Sequence, residues 1–123
     1  MPYLSRRLQP QPPRQILALV SLSVRRREIF AVISFEWDPD KAASNLAKHG
    51  VSFAEAATAF EDPLSLTIFD PDHSKSEDRY LLLGMSTFGN LVMVSHTDRS
   101  GTIRIINARR ADRRERLQYE AKH

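Results

Sequence analysis

The sequence has no cysteine, which excludes a disulfide framework and thiolate chemistry and is consistent with a reducing compartment. Glycine is scarce: the four present form neither a phosphate-cradling P-loop nor a dinucleotide fingerprint. No apolar run is long. The run ILALVSLSV, residues 16–24, has nine residues, far short of the roughly 20 that a helix needs to span a bilayer. An arginine precedes it, as in a secretory signal, but RRRE follows where small residues and a cleavage site belong. Aromatic residues make up 8% of the chain, with a single tryptophan at Trp37. What is present is 41% hydrophobic and 27% charged over 123 residues, ordinary values for one soluble domain with a tail.

The net charge of +3 hides an asymmetry. Residues 1–33 hold 6 basic against 1 acidic side chain, residues 34–78 hold 3 against 10, and residues 79–123 hold 9 against 4. An acidic first half is thus followed by a basic second half. Such polarity suits a polyanion site in the second half and a basic partner for the first. Two solvated faces of opposite sign are the competing reading.

Residues 1–33 read as an irregular N-terminal extension. QPQPP favours polyproline II, because prolines lack donors. An added strand or helix against the domain is an alternative, as is an upstream start that adds non-native sequence. From Ser34 a domain, residues 34–123, becomes orderly. ISFEW predicts a strand, and Asp38-Pro39 supplies an N-cap and a first-turn proline for a helix that stops at Gly50. Ser52 and Glu55 have capping-box spacing, and Phe53, Ala56, Ala57 and Phe60 share a face of the next helix. Strands are expected at 64–69, 79–86, 91–97 and 102–108, with a polar loop DPDHSKSED between the first two. Asp112 and Glu115 open a terminal helix. The fold class is α+β: a single antiparallel sheet with helices, in the order β-α-α-β-β-β-β-α.

The histidines His49, His73, His96 and His123 show no metal-ligand spacing, and DPDHSKSED lacks the glycine and terminal glutamate of a calcium loop. The hairpin VSHTDRSGTIRIINARR, residues 94–110, is richer. Alternation points Arg104 away from the face that Ile103 and Ile105 bury. His96 ends one strand, Arg99 sits in the turn, and Arg109 and Arg110 follow the second strand. Histidine suits acid–base work near neutral pH, and arginine suits a charged phosphorane transition state. Surface arginines pairing with the acidic first half explain the same pattern. In RRERLQYE, Arg113 and its neighbours form a solvated face, with phosphate contact as second choice. Lys48-His49-Gly50 reads as a cationic helix C-terminus, from which His49 could also project into a site.

Taken together, FEWDPDKAASNLAKHGVSFAEAATAF, DRYLLLGMS and VSHTDRSGTIRIINARRADRRERLQYE resemble the BrnT toxin family. The shared pattern is a W-D start, N-x-x-K-H-G, V-x-F-x-x-A, R-Y-x-x-x-G, H-T-x-R and R-I-I-x-A-R-x-A, in order over about residues 35–120. The resemblance implies a RelE-like ribonuclease fold and RNA cleavage without metal or other cofactor, leading to translation arrest in the cytoplasm. It also implies neutralisation by a BrnA-type antitoxin, through which alone operator DNA is bound, and no membrane association. The family's motif positions fall on Lys48, His49, Arg79, His96, Arg99, Arg104 and Arg109. His96 is the first choice for acid or base and His49 the second, with Arg79, Arg99 and Arg109 on the phosphate. Lys48, Arg104, Arg110 and Arg113 are expected to bind RNA. Asp98 stands where many relatives carry glutamate and Asn107 where many carry serine. Competing readings are a catalytically inactive module that binds the antitoxin and tunes autoregulation, and a direct nucleic-acid binder.

Overall fold

The computed structural model describes residues 14–24 and 27–121; the QPQPP tract and His123 lie outside the described residues. The strands are β1 (Arg14–Val24), β2 (Arg27–Trp37), β3 (Leu66–Phe69), β4 (Tyr80–Met85), β5 (Leu91–Arg99) and β6 (Thr102–Arg110). Helices α1 (Pro39–His49) and α2 (Phe53–Thr58) follow β2, and α3 (Arg113–Ala121) closes the fold. From β2 onward the element order is the expected one. Before Ser34, where an irregular extension or an added strand was expected, β1 pairs with β2 from Arg14↔Trp37 to Val24↔Arg27. Both segments are dense in β-branched and apolar residues, which suits strands.

The sheet order is β1-β2-β6-β5-β4-β3. The sheet is mixed, where an antiparallel one was expected, because Ser34–Glu36 of β2 run parallel to Thr102–Arg104 of β6. Hairpin reversals from β3 to β6 bring the chain back beside β2 in the same direction. The side-chain period is 2 in either direction, so the pattern of apolar residues cannot reveal it.

Local chemistry sets the helix ends. Asp38 accepts a hydrogen bond from the Asp40 amide at 2.8 Å, Pro39 begins α1, and Gly50 ends it at φ 69°. Ser52 caps α2 through the Glu55 amide at 2.9 Å. The reciprocal half of that expected capping box is absent. Glu55 turns its carboxylate to Ser86 Oγ and Asn90 Nδ2, both at 2.8 Å, and pins the β4–β5 turn. At α3 the box is complete, Asp112 and Glu115 each accepting from the other's amide at 2.8 and 2.9 Å.

The principal core lies between the sheet and α1–α2, where Phe35, Trp37, Val51, Phe53, Val92, Val94 and Ile105 are buried. A smaller cluster of Leu83, Leu91, Met93 and Tyr119 seats α3 on the opposite face. Tyr119 donates to Asp62 at 2.6 Å, fastening α3 to the turn after α2.

One irregularity positions everything that follows. Ser95 pairs with Asn107 but His96 pairs with Ile105, so Ile106 is an extra residue in β6. Such a bulge re-aims side chains. Arg104, Asn107 and Arg109 face Thr97, Ser95 and Met93, three alternate residues of β5, and so share one face. Strict alternation along β6 would have split them. Ile105 and Ala108 turn to the other face and join the principal core.

Candidate functional site

β2 pairs with β6 only over Thr102–Arg104, which leaves the later part of β6 paired with β5 alone. Helix α1 fills the gap. Its buried Asn45 donates to the Ala108 carbonyl at 2.8 Å and accepts from the Ala108 amide at 3.1 Å, as a neighbouring strand would. Asn45 also donates to the Val51 carbonyl at 2.9 Å. This residue was missed as a site determinant from sequence; its only signal is its place in N-x-x-K-H-G. Held there, α1 lies beside β6 and brings Lys41 and Lys48 to it.

Two adjoining hollows result. The larger, about 460 Å³, is lined by Lys41 of α1, by Asp70, His73 and Arg79 at the ends of the polar loop, and by Leu81, Ser95, Ile106 and Asn107. The smaller, about 190 Å³, is lined by Lys41, Ser44, Asn45, Lys48, His49, Ile106 and Asn107. Lys41, Ile106 and Asn107 are common to both, so the hollows form one furrow across the sheet face. Four of the expected residues or their neighbours meet here: Lys48, His49, Arg79 and Asn107. Lys41 and His73 join them without having been singled out; the bulge and the loop that bring them in leave no periodic trace.

The loop is pinned at its base. The Asp70 amide donates to the Arg79 carbonyl at 2.8 Å, the Arg79 amide to Ser74 Oγ at 2.8 Å, and Ser74 Oγ to the Asp70 carbonyl at 2.5 Å. Thr97 Oγ1 donates to the Asp78 carbonyl at 2.7 Å. Arg99 grips Glu77 with two bonds, at 2.9 and 3.1 Å. That grip holds the Glu77 carboxyl below its usual range, and the charges of Arg79 and Arg104 add to it. Arg104 also faces Glu36 at 3.8 Å. Arg99 ends β5 and is not a turn residue; Ser100 and Gly101, at φ 54° and 87°, make the two-residue turn that the strand twist favours. Asp98 accepts from the Gly101 amide at 2.9 Å.

Other expected residues stand apart. His96 lies inside β5, 7% exposed, on the face opposite Ser95. Its ring meets Phe60 edge-on at 4.8 Å and lies over Tyr80 at 6.0 Å. Burial holds its pKa below the usual imidazole value, opposed by the Val94 carbonyl and the charge of Asp98. Arg109 lies within β6, not beyond it, and makes a two-pronged pair with Glu115, both bonds 2.8 Å. That pairing raises the Arg109 pKa and lowers that of Glu115. Arg110 and Arg113 are exposed and line neither hollow. Among the described residues no group of three His, Asp or Glu side chains could hold a metal ion, and no helix is long and apolar enough to cross a membrane.

The fold is thus a mixed sheet whose furrow is lined by Lys41, Lys48 and Arg79 together with His49, His73 and Asp70. The family profile described as "Ribonuclease toxin, BrnT, of type II toxin-antitoxin system" matches residues 37–115. The chain belongs to the BrnT family, ribonuclease toxins of type II toxin-antitoxin systems, which implies an antitoxin partner. The crystal structure of the BrnT ribonuclease toxin of Brucella abortus is similar at 29% identity, over 63% of this chain and 94% of that one, with a TM-score of 0.48. No curated protein is significantly similar to the chain.

Proposed function

We propose that the protein is an endoribonuclease that cleaves RNA by attack of the ribose 2′-OH, without metal, and thereby arrests translation in the cytoplasm. The observation that carries this reading is the furrow: Lys41, Lys48 and Arg79 converge on one sheet face beside His49, His73 and Ser95. Fixed cations stabilise the pentacoordinate phosphorane, and a neighbouring imidazole moves the proton. A 2′-OH nucleophile makes RNA cleavable where DNA is not. None of these steps demands a metal ion. In this reading Arg79, Lys41 and Lys48 hold the phosphate, while Arg99 and Arg104 shape the furrow through Glu77 and Glu36. Arg110 and Arg113 extend the basic surface along the RNA.

The partner is a BrnA-type antitoxin, which supplies operator binding. The acidic stretch 34–78 suits a basic antitoxin surface, and edge strand β3 within it exposes Ile68 and Phe69. The toxin domain spans residues 34–123. Purified chain incubated with RNA in excess chelator should yield fragments ending in 2′,3′-cyclic phosphate, and Arg79→Ala should lose most of that activity.

A second reading has its own support. His96 is sealed among rings, and the guanidinium groups of Arg99 and Arg109 are taken by carboxylates. An inactive module that only binds the antitoxin would tolerate such occupancy. RNA left intact by the wild-type chain, with antitoxin binding preserved, would select it.

A further inference from the structure

We propose that His73, anchored by Asp70, is the proton-transfer group of the furrow, and that His96 is a packing residue of the core. The proposal rests on the ribonuclease reading above and adds the identity of its base. His73 Nδ1 lies 2.8 Å from Asp70 Oδ2, with the histidine side chain 68% exposed and the carboxylate only 12%. A sheltered carboxylate bound to Nδ1 fixes the tautomer that keeps the proton there and leaves Nε2 as acceptor. Nε2 has no hydrogen-bond partner among the described residues. The imidazole lines the larger hollow together with Arg79, Lys41 and Ser95. Its loop is held at its base, since the Asp70 amide bonds the Arg79 carbonyl and Thr97 and Arg99 bond residues 78 and 77. A base presented from a pinned turn beside fixed cations meets the geometric requirement for proton abstraction.

The other histidines lack one part of this arrangement. His96 points to the opposite face and is closed in by Phe60 and Tyr80. His49 borders the smaller hollow but has no anchoring carboxylate among the described residues. In the reaction, Nε2 of neutral His73 takes the proton of the 2′-OH, and the oxygen's electron pair forms the bond to phosphorus. The P–O5′ bond breaks, its pair stays on the 5′-oxygen, and solvent protonates that leaving group. The products are a 2′,3′-cyclic phosphate and a 5′-hydroxyl, with no change of oxidation state. The charged groups facing His73 are Asp70 from its own turn, Lys41 from α1 and Arg79 just before β4.

The test uses the full chain and a short RNA, with a fully 2′-O-methylated copy as an uncleavable probe of binding. His73→Ala should lower kcat about 100-fold or more, leave affinity for the methylated RNA unchanged, and remove the acid limb of the pH–rate profile. Added imidazole should restore part of the lost rate. Asp70→Asn should lower kcat by about 10-fold, as expected for a group that only orients the base. Wild-type kcat in His73→Ala beside a crippled Arg79→Ala would overturn the proposal while sparing the ribonuclease reading. Loss of methylated-RNA binding in His73→Ala, without rescue by imidazole, would overturn it too, marking a binding residue. A wild-type chain that leaves RNA intact would overturn both.

Discussion

His73 and His96 belong to the same small sheet protein yet live in opposite surroundings. His96 is packed between Phe60 and Tyr80 on the face covered by α1 and α2, where Phe35, Val92 and Ile105 exclude water. His73 stands on a polar loop over the other face, beside Asp70, Arg79 and Lys41. A histidine in a motif thus says little about its duty until its face is known. One face of this sheet carries the principal core, and the other is shared between the α3 cluster and the furrow.

That contrast can be broken at its cohesive side most forcefully. Phe35 is fully buried and touches Phe60 with ring centroids 5.2 Å apart. Phe35→Ala should cost about 3–5 kcal/mol of stability in urea unfolding. Asn45→Ala attacks the joint between the faces, leaving the Ala108 amide and carbonyl and the Val51 carbonyl without their partner. A loss of about 2–3 kcal/mol is expected, and RNA cleavage should fall more than stability alone explains, because α1 would no longer hold Lys41 and Lys48 over the furrow.

A pH-dependent effect sharpens the histidine comparison. The folded His96 has a pKa below the usual imidazole value, burial being the main cause. As pH falls below about 6.5, the unfolded chain therefore takes up a proton that the native state refuses. Stability should decline through that window, and His96→Leu should flatten the decline in urea titrations at stepped pH. His73→Ala should leave it in place. Smaller still, Arg109→Ala should cost about 1 kcal/mol by opening the clasp between β6 and α3. Arg99→Ala, at an exposed pair, should shift stability by about 0.5 kcal/mol or less.

Much of the fold was legible before any coordinates. Asp38-Pro39, Gly50, Ser52 and the Asp112–Glu115 pair mark helix ends by local hydrogen bonding, and they mark them correctly. Strands β3 to β6 also fall where alternation and turn residues place them, within two residues at their ends, whereas β2 begins six residues before the expected Ile33. Less was legible of the site. Arg79, Lys48 and His49 were selected and do line the furrow, whereas Lys41 and His73 had to be found. The pairing of Arg99 with Glu77, 22 positions away, has no local signature, and neither has the parallel match of β2 with β6.

By itself the sequence determined the elements and their order from Ser34 onward, the acidic and basic halves, and the face of Arg104, because caps, turns and alternation act within a few residues. Tertiary structure alone decided which charges are free and which histidine meets solvent. One extra residue at Ile106 brings Arg104, Asn107 and Arg109 onto a single face, and one buried amide, Asn45, draws α1 to the edge of β6. Both act through contacts between distant segments, and a linear pattern does not contain those contacts.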